Sequence, residues 1–105
     1  MEIRVNIDAN IDEREKLADY VARVVESSLR RFGARIGRVD VHLGDERGNE
    51  GDKHRNRCSI ETRIEGHQPT VVVFQAAAPA TAVDGATDRL ERALENMLEQ
   101  LPDYS

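Results

Sequence analysis

The sequence predicts an α+β fold, a two-layer sandwich of order β-α-β-β-β-α with a four-stranded mixed sheet and both helices on one face. Three observations lead there. Apolar residues cluster in four short segments, three of them alternating with polar residues as half-buried strands do. Two longer segments carry apolar residues at helical spacing. A helix separates the first strand from the second, so a right-handed crossover makes those two parallel, while strands two to four follow one another as a meander. Both helices need an apolar partner, and the sheet offers one face for it.

Each element has its own signal. In Met1–Asp8, Ile3, Val5 and Ile7 share one face of a strand. Asp12, with Glu15 three residues on, reads as a helix cap. Leu17, Tyr20, Val21, Val24, Val25, Ser28, Leu29 and Phe32 then follow helical spacing, and Gly33 is the terminator. Asp12–Lys16, Asp19–Arg23 and Glu26–Arg30 are acid-first pairs four apart, the helix-supporting orientation. A second strand runs from about Ile36, with Val39, Val41 and Leu43 on one face. Residues 44–53 lack any apolar side chain and read as a long, mobile hairpin loop. The third strand places Cys58, Ile60, Thr62 and Ile64 inward, and Gly66-His67-Gln68 is a turn. Thr70 to Ala76 is a fourth strand, apolar on both faces. Pro79 suits a helix start, Thr81 with Asp84 reads as a second cap pair, and the stripe Val83, Ala86, Leu90, Ala93, Leu94, Met97, Leu98, Leu101 ends at Pro102. The expected organisation is one domain over 1–101 and a short tail, 102–105.

Composition narrows the class. At 105 residues the chain suits one modest core, with little room for a deep catalytic cleft. It has no apolar run of signal-peptide or membrane-spanning kind, and its single cysteine, Cys58, fits a reducing compartment. A soluble, cytoplasmic protein without membrane partners is the expectation. The net charge is −5, but it is unevenly spread: residues 30–63 hold 9 basic against 6 acidic residues, and residues 64–105 hold 2 against 7. An acidic total disfavours indiscriminate nucleic-acid binding, DNA included, yet the basic middle leaves room for a local phosphate-binding patch.

Catalytic chemistry has little support. His42, His54, His67 and Cys58 show no zinc-ligand spacing, and no glycine-rich phosphate loop is present. Cys58 sits on an apolar strand face, as a buried and inert thiol would. Asp84 and Asp88, four apart, could in principle do acid–base work, but helix-start and Asp88–Arg92 pairing roles account for them more simply. The expectation is a non-enzyme with no cofactor and no metal. The basic residues form two groups: Arg30, Arg31, Arg35 and Arg38 at the end of helix one, and Lys53, His54, Arg55 and Arg57 at the start of strand three. Antiparallel pairing of strands two and three puts these groups at opposite ends of the sheet. The planar guanidinium fork of arginine suits phosphate.

The segment Ala82-Val83-Asp84-Gly85-Ala86-Thr87-Asp88-Arg89-Leu90-Glu91-Arg92-Ala93-Leu94 resembles the second-helix signature of the ribosome hibernation promoting factor and ribosome-associated inhibitor A family. There a small residue, an aliphatic and an aspartate precede Asp-Lys/Arg-Leu and a further basic residue. The first strand and helix, and Arg35-Ile36-Gly37-Arg38-Val39-Asp40-Val41-His42-Leu43, are similar to that family too, so the resemblance covers roughly residues 1–100. It implies a short-form, bacterial hibernation factor that occupies the decoding channel of the small ribosomal subunit and holds ribosomal RNA phosphates with basic side chains. The resemblance implies RNA-binding roles for Arg89 and Arg92 on helix two and, more loosely, for Arg30 and Arg31. Glu95, Glu99 and Asp103 stand where the family would carry further basic residues. The alternative is a non-ribosomal interaction module of the same fold that uses its open sheet face, including Phe74, for a protein partner or a homodimer.

Overall fold

The computed structural model describes residues 1–47 and 54–99. The chain forms β1 (Glu2–Ile7), α1 (Arg14–Leu29), a 3-10 turn (Arg30–Arg35), β2 (Ile36–Arg47), β3 (His54–Ile64), β4 (Thr70–Ala76) and α2 (Pro79–Glu99). Strand order is β1-β2-β3-β4, with β1 parallel to β2 and the other neighbours antiparallel. The α+β sandwich read from the sequence is the fold observed.

Alternation sets which side chains face the helices. Val39, Val41 and Leu43 of β2 and Cys58, Ile60, Thr62 and Ile64 of β3 are buried. From above, α1 contributes Val21, Val25 and Leu29, and α2 contributes Ala82, Val83, Ala86, Leu90 and Leu94. At about 1.5–3 kcal/mol for each large side chain withdrawn from water, this layer is the main source of stability. β4, apolar on both faces, splits unevenly: Phe74 packs against the core, whereas Val71 is 59% exposed. Phe74 therefore faces the helices and not the open sheet face, a distinction that the unbroken apolar run of residues 71–74 leaves open to alternation alone. Gly85 makes the packing of α2 on β4 fit, because a Cβ there would stand 2.2 Å from the Phe74 ring.

Local signals gave way in three places. The first helix begins at Arg14 after Glu13, which holds φ 56° and offers no side-chain cap, so the Asp12–Glu15 cap is not formed. α2 starts at Pro79, which puts Thr81 and Asp84 inside the helix and not at its cap. Residues 44–47 are strand: Gly44 pairs with Arg57 and Arg47 with His54, so a two-stranded ribbon continues beyond the ends of β1 and β4. The expected loop is shortened to 48–53, which lies outside the described residues, as does the stop at Pro102. Gly33, at φ 59°, ends the helical path as its freedom from a Cβ allows.

Candidate nucleic-acid interface

The helix layer is held by polar contacts between its two members. Tyr20 Oη donates to Asp84 Oδ1 at 2.6 Å, and Arg31 Nη2 donates to Glu91 Oε2 at 3.1 Å and also to Glu95. Tyr20 meets Asp84 and Arg31 meets Glu95, so α1 and α2 run in the same direction. The hydrogen bond to Asp84, helped by burial and by that carboxylate's charge, pushes the Tyr20 hydroxyl above its ordinary pKa of 10.0.

All four arginines that the resemblance assigns to RNA have partners within the chain. Arg30 pairs with Glu26 at 3.6 Å, and Arg92 pairs with Asp88 at 3.2 Å, each one helical turn away. Arg31 lies between the helices on Glu91 and Glu95, with its guanidinium 4.9 Å from the Phe32 ring centroid. Arg89 reaches across to the free edge of the sheet, where Nη1 donates to the Val73 carbonyl at 2.7 Å and the guanidinium lies 4.9 Å above the Phe74 ring. The structure thus puts Arg31 against the acidic residues of α2 and leaves Arg89 at the far side of that helix, on β4. The four do not form one patch.

Arg89 also acts as an edge guard. Thr70–Ala76 carries no charge, is rich in β-branched residues and has β3 on one side only. Such an edge is a template for pairing with another chain, and a charge placed on it is a common protection. Here the charge comes from the helix that follows the strand.

The open face of the sheet is polar. Among the described side chains it presents Arg4, Arg38, Arg55, Arg57 and Arg63 against Glu2, Asp40 and Glu61, since these alternate with the buried positions of β1, β2 and β3, and Asp8 and Glu65 reach it from the strand ends. Arg4 pairs with Glu2 at 3.4 Å and Arg38 with Asp40 at 3.1 Å. His42 Nε2 lies 2.9 Å from Asp8 Oδ1. Arg55, Arg57 and Arg63 have no ion pair or side-chain hydrogen bond with any described residue. The register Ile36↔Ile64 sets Arg63 beside Arg35 and Arg38, and Arg47↔His54 sets Arg55 and Arg57 at the other end, so the two basic groups do sit at opposite ends. Alternation alone sets Arg63 on the outward face of the third strand, and the register beside Ile36 is what adds it to the Arg35 and Arg38 group.

Nothing in the described residues resembles a catalytic centre. They hold no group of three or more His, Cys, Asp or Glu side chains placed to share a metal ion. Cys58 is fully buried, and burial pushes its thiol up to about 12, the opposite of an activated nucleophile. No helix is long and apolar enough to cross a membrane, among the described residues.

Known proteins place the fold. It is similar to the N-terminal domain of Protein Y from Thermus thermophilus, with a TM-score of 0.68, 22% identity, and coverage of 92% of this chain and 99% of that one. It is similar also to a ribosomal subunit interface protein from Coxiella burnetii, with a TM-score of 0.66, 13% identity, and coverage of 95% and 100%. No functionally curated protein gives a significant sequence match. The sequence profile described as Sigma 54 modulation protein / S30EA ribosomal protein matches residues 3–101. With nearly its whole length matched, the chain belongs to the Sigma 54 modulation protein / S30EA ribosomal protein family.

Proposed function

We propose that this chain, a ribosome-associated modulation factor by family, is a hibernation factor that occupies the decoding channel of the small ribosomal subunit. The observation that carries the reading is the family match across residues 3–101, in a chain whose described residues form the complete β-α-β-β-β-α order. Its mechanism is steric: a rigid two-layer domain fills space that transfer and messenger RNA would use, and surface arginines hold ribosomal RNA phosphates. Folded RNA is recognised largely through shape and backbone, so no base-reading motif is required. Arg89, Arg92, Arg30 and Arg31 are the side chains the family resemblance assigns to that grip. Each would exchange an internal partner for a phosphate. Such a factor works in the cytoplasm, without cofactor, metal or catalytic turnover.

The test is sedimentation of the chain with intact ribosomes and with isolated small subunits at two salt concentrations. Binding to the small subunit that weakens as salt rises is expected, with further loss in R89E/R92E. Absence of binding even at low salt would overturn the reading. The alternative, a protein-interaction module using the open sheet face, has less behind it, because that face is charged and Val71 is its most exposed large apolar residue.

A further inference from the structure

We propose that the outward face of the sheet, along Arg55, Arg57 and Arg63 of β3, is a second surface that grips RNA backbone. The partner rests on the ribosomal reading above; the surface rests on three cations that have no ion pair among the described residues.

The two sides of the molecule differ in charge balance, acidic on α2 and near neutral on the sheet. Over Pro79–Glu99, α2 holds Arg89 and Arg92 against Asp84, Asp88, Glu91, Glu95 and Glu99. The described outward sheet face holds Arg4, Arg38, Arg55, Arg57 and Arg63 against Glu2, Asp8, Asp40 and Glu61, with Glu65 at its rim, and Arg4, His42 and Arg38 already engage Glu2, Asp8 and Asp40. An RNA backbone approaching α2 meets a surplus of negative charge and must draw each arginine from an existing partner. Approaching the sheet, it meets Arg55, Arg57 and Arg63, which have no ion pair with any described side chain to give up.

Geometry favours the same side. Arg55, Arg57 and Arg63 lie at alternate positions of one strand, with Ser59 and Glu61 between them, so Arg55 and Arg57 emerge roughly 7 Å apart on a flat surface. No helix or loop of the described chain covers this face, because both helices pack on the other. Cross-strand neighbours supply further polar groups: Gln75 beside Arg57, and His42 beside Ser59. An arginine presents its fork to a phosphate bidentately, which holds a backbone without reading its sequence. Glu61 is the one carboxylate in the row, and it sets a sign test, since its removal should strengthen what removal of the arginines weakens.

The experiment uses the full chain and three variants, R55Q/R57Q/R63Q, R57Q alone and E61Q, with folding checked by circular dichroism. Binding is measured to small ribosomal subunits and to a short RNA hairpin, across a salt series. The triple variant should bind small subunits at least tenfold more weakly at near-physiological salt, with a log–log salt slope shallower by about two. R57Q should lie between it and the parent, and E61Q should bind more tightly. If the parent binds small subunits and the triple variant matches it in affinity and slope, the sheet-face inference falls while the ribosomal reading stands. If the parent binds only the hairpin and the triple variant loses that binding, the sheet face stands as an RNA surface and the ribosomal reading falls. A parent that binds neither, or hairpin binding indifferent to the three arginines in a chain that ignores ribosomes, overturns both.

Discussion

The helix layer and the open sheet face carry similar numbers of arginines and use them differently. On the helices, four-residue spacing and the groove between α1 and α2 bring long side chains of opposite sign together, as in Arg92–Asp88, Arg30–Glu26 and Arg31 with Glu91 and Glu95. On the sheet, a side chain meets only its cross-strand and same-strand neighbours. Arg57 lies opposite Gln75 and opposite Gly44, over which Asp8 turns to His42, and Arg63 faces the irregularity between Ile36 and Val39, so neither forms an ion pair with a described residue. The same residue type therefore ties the helices together on one side, while on the other Arg4 and Arg38 pair within their own strands and Arg55, Arg57 and Arg63 make no ion pair with a described residue. A net charge of −5 describes neither side.

Changes in the interior that the two faces share should have the largest effect. The unfolded chain releases the Cys58 thiol proton near pH 9.0, while the folded chain keeps it until about 12. The unfolded state then binds fewer protons, so this contribution is whole below pH 9 and is lost as pH rises through 12, by about 4 kcal/mol in all. Denaturant titrations of the parent and Cys58→Ala across that window should show a steeper decline in the parent; parallel curves would mean that the thiol is accessible. Gly85→Val drives a side chain into Phe74 and should pry the helix layer from β4, with a loss of about 2 kcal/mol in chemical denaturation.

The contrast between the faces can also be erased. E91Q/E95Q removes two charges from α2 and frees Arg31, so small-subunit affinity at low salt should rise roughly tenfold. An unchanged affinity would place α2 away from RNA and sharpen the case for the sheet. Arg89→Ala removes one hydrogen bond and one cation–π contact, about 1 kcal/mol of stability, and bares the β4 edge. Analytical ultracentrifugation should then show self-association, which a second change, Val71→Pro, reverses by blocking an edge position. Arg92→Ala should be nearly silent, below about 0.5 kcal/mol in a thermal melt, because its pair with Asp88 is an exposed turn-to-turn contact.

Much of the fold could be read in the sequence because burial writes periodicity into it. The inward positions of β2 and β3 and the α2 stripe over Val83 to Leu94 are visible that way, and the start at Pro79 follows from the fixed φ of proline. The ribbon at Gly44–Arg47 is not, since backbone pairing holds it together with little apolar content to mark it. Nor are the partners of the candidate RNA-binding arginines equally legible. Asp88–Arg92 follows from spacing within one helix. Arg31 with Glu91 and Glu95, or Arg89 with the Val73 carbonyl, depends on how separate elements dock, and local patterns hold no record of that.

The guard on β4 also has a timing. Arg89 follows Ala76 by 13 residues, and it reaches the strand only once α2 has formed and docked. Until that docking the edge is uncharged and open to pairing with a second copy. Rapid formation of α2 then matters less for the final stability of the domain than for how many copies reach it.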